Sequence, residues 1–378
     1  MDFLKLKNNL PFKGVLFSSI AMAFAGLGDA LLYSVLPIFG QQMGFSVFWI
    51  GVLLSINRFV RIPGNTFVAL FISKKGYKKA MILASFTAML TTVFYGVNLG
   101  VFLFVLARVL WGLSYSTMRI SSLAYASEVV NNKNLMFGLI QSIKTVGAVI
   151  ALYFGAYLVK IFNIKVAFIF LGVLSFIAIL FTFSLPNIKK NTSKLDLKKM
   201  VHFSPLSLLA FLTSFVFDGI LVVTISKLLV GYSQEDLLMV VSGYLLFRKL
   251  CSVIFSVISG WLSDLIGVQT VFNFSLVFVS LSLILIVYGQ VEKGIVLAFL
   301  FNSILVALFP SVALKLNASN RLQTLTSITT WWDIGAATGT VLGLFLFQLL
   351  GLQILFWSLL LLLICSKLVY FKNNASFS

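Results

Sequence analysis

About twelve apolar runs, each roughly twenty residues long, follow one another through this chain. An α-helix of that length, rising about 1.5 Å per residue, crosses the hydrocarbon core of a bilayer. The runs predict spans near residues 14–38, 47–72, 79–98, 101–124, 136–160, 164–185, 204–230, 236–261, 268–289, 293–313, 322–350 and 352–370. Lipid offers no hydrogen bonds, so each span must satisfy its own amides and carbonyls as a helix. The expected fold is an all-α membrane protein. Composition agrees: 60% of residues are hydrophobic, only 10% are charged, and the mean hydropathy is +1.07. A soluble domain has about 25% charged residues to coat its surface.

The charge balance is basic, with 28 Lys+Arg against 10 Asp+Glu. In a soluble chain this would suggest nucleic acid. Here the basic residues sit mostly in short loops, and they alternate. One set of loops and ends holds Lys5, Lys7, Lys13, Lys74, Lys75, Lys78, Lys79, Lys133, Lys189, Lys190, Lys194, Lys198, Lys199, Lys315, Arg321, Lys367 and Lys372. The opposite set holds only Lys160, Lys165 and Lys293. Lys/Arg excess marks the cytoplasmic side, which predicts cytoplasmic termini and an even number of spans. The loop at Gly231–Asp236 is expected outside. The first run continues past Ala21, Ala23 and Ala25 toward Pro37, too long for a cleaved signal segment. The polar stretch from Pro186 to His202 reads as a linker, giving an N-terminal bundle at 1–185, a linker at 186–203 and a C-terminal bundle at 204–378.

The two parts repeat features in the same order. Asp29 is followed by Arg58, and Asp218 by Arg248, about thirty residues later in each case. Gly76 lies in the basic loop after span 2, and Gly260, Asp264 and Gly267 follow in span 8 and its loop. Gly147 and Gly155 of span 5 match Gly335 and Gly343 of span 11. The glycines at spacing four in span 11 let helices approach closely in lipid; a rocking interface is the sharper reading of them. Two pseudo-symmetric six-helix bundles with a site at the midplane follow from such a duplication.

Gly260-x-x-x-Asp264-x-x-Gly267 resembles the signature of the major facilitator superfamily in the loop after the second span of each half. Arg108 with Gly112 is similar to its span 4 pattern, and Gly335-x-x-x-Gly339-Thr340-x-x-Gly343 to its span 5 signature, with Thr340 where the family has proline. The first half departs, having Ala69 and Ser73 in place of Gly and Asp. The resemblance implies an alternating-access secondary transporter, with Gly260, Asp264, Gly267 and Gly76 in a cytoplasmic gate.

Charges inside the spans carry the rest of the functional reading, because each costs several kcal/mol near the bilayer centre unless paired or hydrated. Asp29, Arg58, Arg61, Arg108, Lys144, Asp218, Arg248, Lys249 and Asp333 all fall within spans, while Arg119 and Lys227 lie nearer the ends, where they can snorkel. Equal spacing suggests pairs Asp29/Arg58 and Asp218/Arg248. That leaves Arg61, Arg108 and Lys144 without an obvious acid. Arg58, Arg61, Arg108, Lys144, Arg248 and Trp332 are the expected solute-binding residues. Such a cluster suits a carboxylate-bearing solute, for example a siderophore-type hydroxycarboxylate. Asp29, Asp218 and Asp333 are the expected proton-coupling residues, since desolvation opposes the charged carboxylate while neighbouring Arg favours it. Trp331 and Trp332, placed about a turn inside the basic end, read as an interface anchor or as cavity lining.

No phosphate-binding loop, H-E-x-x-H, G-x-S-x-G or Cys/His cluster occurs, and His202 is the only histidine. The chain therefore reads as a non-enzyme with no cofactor, no metal and no nucleic-acid partner. Its expected partners are the bilayer and a small solute, and it is expected to be monomeric. A multidrug exporter is the main alternative, and a membrane-embedded enzyme the alternative from another class. The Lys- and Asn-rich usage fits an AT-rich bacterial genome and so a bacterial cytoplasmic membrane.

Overall fold

The computed structural model describes residues 10–97, 100–188, 201–229, 234–317 and 319–374. Most of the 186–203 linker, part of the 231–236 loop and both ends fall outside the described residues. The described chain is helical and crosses back and forth twelve times. The first six helices are α1 (Leu10–Phe39), α2 (Val47–Lys75), α3 (Tyr77–Val97), α4 (Val101–Ser127), α5 (Lys133–Ile161) and α6 (Ile164–Phe183). Then come α7 (Pro205–Leu228), α8 (Gln234–Ile266), α9 (Val268–Val287) and α10 (Val291–Leu316). The last helical run, Arg321–Asn374, breaks at Gly351, whose φ of 70° is not helical. The break gives α11 (321–350) and α12 (352–374). One of these helices, α2, carries Arg58 and Arg61 within its length and ends on Lys74 and Lys75.

Local chemistry sets the ends. Asn163 accepts from the Val166 amide at 2.8 Å to start α6. Ser204 caps α7 at 3.1 Å, with Pro205 at the first helical position. Gly76 and Gly267 close the turns after α2 and α8 with φ of 85° and 93°, a region side chains avoid. Both turns lie at one end of the bundle, with the Lys-rich loops; it is called the basic end below.

Lipid-embedded helices gain little from the hydrophobic effect, so small residues decide where they meet. A Cβ on Gly335 would lie 2.2 Å from the Phe211 carbonyl oxygen, and one on Gly339 2.3 Å from that of Phe215. These glycines therefore seat α11 on α7. Gly147 does the same for α5 against Ala23 of α1, at 2.6 Å from its carbonyl oxygen. The expectation of a rocking interface along these glycines is corrected: they pack helices of the same set.

Where the first six helices meet the last six is uneven. One buried cluster, with Leu31, Leu36, Phe45, Phe104 and Phe168, draws only on the first six and lies toward the end opposite the basic one. A second, with Phe217, Phe272, Phe309 and Tyr370, draws only on the last six. The third joins Tyr125, Val129 and Leu135 to Leu314, Leu322 and Leu325 at the basic end. The apolar core is continuous between the two sets there.

Candidate solute site and gate

Two irregular helices present the first carboxylates. α1 is interrupted at Gly26, just before Asp29. α7 carries a π-helical turn at Phe215–Ile220, which contains Asp218. A π turn re-aims the side chains around it and is common at functional sites. Asp218 accepts from Arg248 Nη2 at 2.5 Å, Trp332 Nε1 at 2.9 Å and Asn302 Nδ2 at 3.0 Å. The Asp218/Arg248 pairing expected from the repeat is present. The Asp29/Arg58 pairing is not. Asp29 is paired with Arg108, which is fully buried, donates from Nε to the Leu53 carbonyl at 2.7 Å and faces the rings of Tyr33 and Tyr95.

Arg58 points the other way, across to α11, and donates to Thr340 Oγ1 at 2.9 Å. Arg61 is not left without an acid either: its Nη2 lies 3.4 Å from Asp333 Oδ1. Arg119 is no snorkelling residue. It clasps both oxygens of Asp333, with Nη1 3.1 Å from Oδ1. Asn65 Nδ2 adds a bond to Asp333 at 3.1 Å and one to Thr330 at 3.2 Å. Asp333 is thus held by α2 and α4 while it sits on α11.

Tyr115 gathers the cations. Arg61, Arg119 and Lys144 lie 5.0, 5.6 and 5.9 Å from its ring centroid, within cation–π range. Lys144 also donates to Gln141 Oε1 at 2.6 Å, and Gln141 reaches Ser252 of α8 at 3.1 Å. Lys249 lies within electrostatic range of Arg248, Lys144 and Arg58. None of Arg58, Lys144 and Lys249 has a carboxylate partner among the described residues, and Arg61 and Arg119 share one acid. The centre carries surplus positive charge. Lys249, Arg119, Tyr115, Gln141 and Asn65 were not singled out for this site from the sequence. Asn57, Arg61 and Asn65 at spacing four, one polar stripe on α2, was the available signal. The two tryptophans separate: Trp331 bonds the His202 carbonyl at 3.2 Å, while Trp332 packs on Phe309 and reaches Asp218. They stand about three turns inside α11, deeper than the single turn expected.

The bonds between the two sets of helices run from this centre to the basic end. Asp264 of α8 accepts from the backbone amides of Asn134 and Leu135 at 3.1 and 2.9 Å, and from Asn134 Nδ2 at 2.7 Å. These are first-turn amides of α5, which its own Asn132 does not cap. Gly260 lies against the same turn, where a Cβ would sit 2.5 Å from the Asn134 carbonyl oxygen. Arg321 of α11 pairs with Glu128 at 2.8 Å and bonds the Ser127 carbonyl at 3.0 Å. Ser73, at the place matching Asp264, bonds its own helix, at Leu70. Nearer the opposite end, Asp29, Asp218 and Arg248 remain 20, 15 and 26% exposed.

The profile of the Major Facilitator Superfamily matches residues 18–247. A curated relative, "Multidrug resistance protein 2" of Bacillus subtilis (strain 168), is 23% identical over 218 residues, 53% of this chain and 53% of its own length. The chain thus spans about half the length of the curated relative it matches. Among solved structures, the human organic anion transporter MFSD10 (TETRAN) superposes with a TM-score of 0.76 at 14% identity, covering 95% of this chain and 99% of that one. A bacterial homologue of the iron transporter ferroportin, in an outward-facing state, gives 0.73 at 14% identity, covering 97% and 100%. The proton:xylose symporter XylE gives 0.70 at 12% identity, covering 96% and 95%. At these identities the likeness concerns the fold.

Proposed function

The chain belongs to the Major Facilitator Superfamily, and from that premise we propose that it carries an anionic, carboxylate-bearing organic solute by proton-coupled alternating access. Membership of the family supports transport of a small solute across a membrane. The anionic reading rests on one observation: Arg58, Lys144 and Lys249 meet at the centre without a carboxylate partner among the described residues. Unpaired cations in a dry interior are costly, so water or an anion must meet them. A carboxylate on the solute fits that place, and hydroxycarboxylates of the siderophore type fit it with additional bonds to Gln141 and Thr340.

The basic end is assigned to the cytoplasm by the positive-inside bias. The bonds and shared core at that end then correspond to an outward-facing state, with solute entering between the sets from outside. Residues 1–185 and 204–378 act as the two rocking units and 186–203 as their tether. A second reading, multidrug export, is favoured by the aromatic rings of Tyr33, Tyr115 and Trp332 around the centre.

Thermal-shift screening of the purified protein against carboxylate metabolites, hydroxycarboxylate siderophores and lipophilic cations tests the choice. A carboxylate is expected to stabilise the protein, and Lys144→Gln or Lys249→Gln to weaken its binding roughly tenfold, less for its ester. Stabilisation by lipophilic cations, improved by the same substitutions, gives the decision to multidrug export.

A further inference from the structure

Three carboxylates lie deep within the helices, and their partners differ in one respect. Asp29 and Arg108 both belong to the first six helices, and Asp218 and Arg248 to the last six. When one set rocks against the other, those two pairs travel intact. Asp333 sits on α11, yet Arg61, Asn65 and Arg119 all come from α2 and α4. Opening the basic end removes all three partners at once. We propose that Asp333 is the carboxylate that couples proton binding to the opening of the basic end, an assignment that rests on the proton-coupled reading above.

The surroundings suit a lock that releases. Asp333 is 2% exposed, while Arg61 and Arg119 are each 12% exposed. The two arginines thus stand between water and the carboxylate. The Nε groups of both arginines are buried and have no acceptor among the described residues, so within them the clamp holds at less than its full bonding capacity. Other ionisable groups face elsewhere. Tyr115 of α4 stacks on the two arginines, and Lys144 of α5 lies beyond its ring. Asp218 of α7 is bonded to Arg248 of α8, with Lys249 beside it. Arg58 of α2 is turned to Thr340. On α10, Glu292, Lys293 and Lys315 are at the helix ends.

In the cycle, the Asp333 carboxylate takes one proton from the open side and becomes a neutral acid; both arginines stay protonated. The neutral acid no longer holds the guanidinium groups, and the basic end opens. Asp333 then gives the proton to water on the basic side, regains its charge and draws α2 and α4 back. One proton crosses per cycle, and no other group changes protonation state.

The test needs no solute. Spin labels at Val130→Cys and Lys315→Cys, both exposed at the basic end on different sets, report its opening in a Cys251→Ser/Cys365→Ser background. Distances are measured in nanodiscs at about pH 3.5 and about pH 8, on either side of the ordinary aspartate pKa of about 3.9. The wild-type pair is expected to lengthen at low pH, by a roughly tenfold shift in population. Asp333→Asn should sit in the long-distance state at both values. Asp29→Asn and Asp218→Asn should respond as wild type does. Arg61→Gln/Arg119→Gln should open the basic end at both values, since no guanidinium is left for the carboxylate to hold; with α11 itself unchanged, this variant separates a lost lock from a misfolded α11. An Asp333→Asn protein that still responds to pH overturns the assignment alone. A wild-type protein with no response overturns proton coupling itself.

Discussion

Asp264 of α8 holds Asn134, in the first turn of α5, at two points, accepting from its amide at 3.1 Å and from its side-chain nitrogen at 2.7 Å. The carboxylate caps a helix of the other set, where the helix dipole and free amides both favour negative charge. Capping in trans makes the start of α5 complete only when the basic end is closed.

Asp264→Asn keeps an acceptor oxygen but loses the charge. The expected cost to the closed state is about 1–2 kcal/mol, or roughly tenfold in the balance of states. A cysteine at Ser259, which is 1% exposed on α8 next to Gly260, should label about ten times faster with a water-soluble maleimide in the variant. Unchanged labelling argues that Asp264 does not hold the gate.

Gly260→Val places a side chain against the backbone of Asn134 and Leu135, where even a Cβ lies 2.5 and 2.7 Å away. Backbone cannot move aside as a flexible side chain can, so the cost should reach about 1–3 kcal/mol. The same labelling assay should show a basic end held open, with transport lost and expression retained. A variant that closes normally would mean α5 and α8 tolerate a wider separation.

Arg108→Leu leaves Asp29 without its cation inside the bundle. Removing one member of a buried pair costs about 3–5 kcal/mol, whereas removing both together can be nearly neutral. Thermal unfolding followed by tryptophan fluorescence should therefore show a large loss for Arg108→Leu and a substantial recovery for Asp29→Leu/Arg108→Leu. Equal losses in the single and double variants would count against the pair as a structural unit.

Orientation is testable at two exposed turns. Phe162 is 61% exposed between α5 and α6, and Val130 is 89% exposed between α4 and α5. With the basic end cytoplasmic, an impermeant thiol reagent added to whole cells should label Phe162→Cys and spare Val130→Cys until the membrane is broken. The reverse pattern would invert the assigned topology.

Span positions were legible because helix length and apolarity are set by the bilayer; predicted α2 at 47–72 is found as Val47–Lys75. The Asp218/Arg248 pair was legible from its spacing. The matching Asp29/Arg58 pair failed for a rotational reason. Asn57 turns toward Tyr33, whose hydroxyl bonds its side chain at 3.3 Å, and a Cβ on Gly112 would lie 2.8 Å from its carbonyl oxygen. Arg58, one residue and about 100° further round the helix, must face α11 instead. Arg119 was misjudged because depth in a span can be read from sequence, but a partner on a helix more than two hundred residues away cannot.

The polarity of α2 has a consequence for how the protein is made. Two arginines near the middle of a span each disfavour insertion by about 2.5–3.5 kcal/mol, against a gain of only about 0.3–0.6 for each Leu, Ile, Phe or Val. Asn57 and Asn65 on the same helix add to that burden. As α2 leaves the ribosome, Thr340 and Asp333, which receive its arginines, have not yet been synthesised. During synthesis α2 must shelter against α1 and α4 or wait beside the translocon, and its final seat forms only when α11 arrives. Biogenesis of the first six helices thus remains unfinished until nearly the whole chain has been translated.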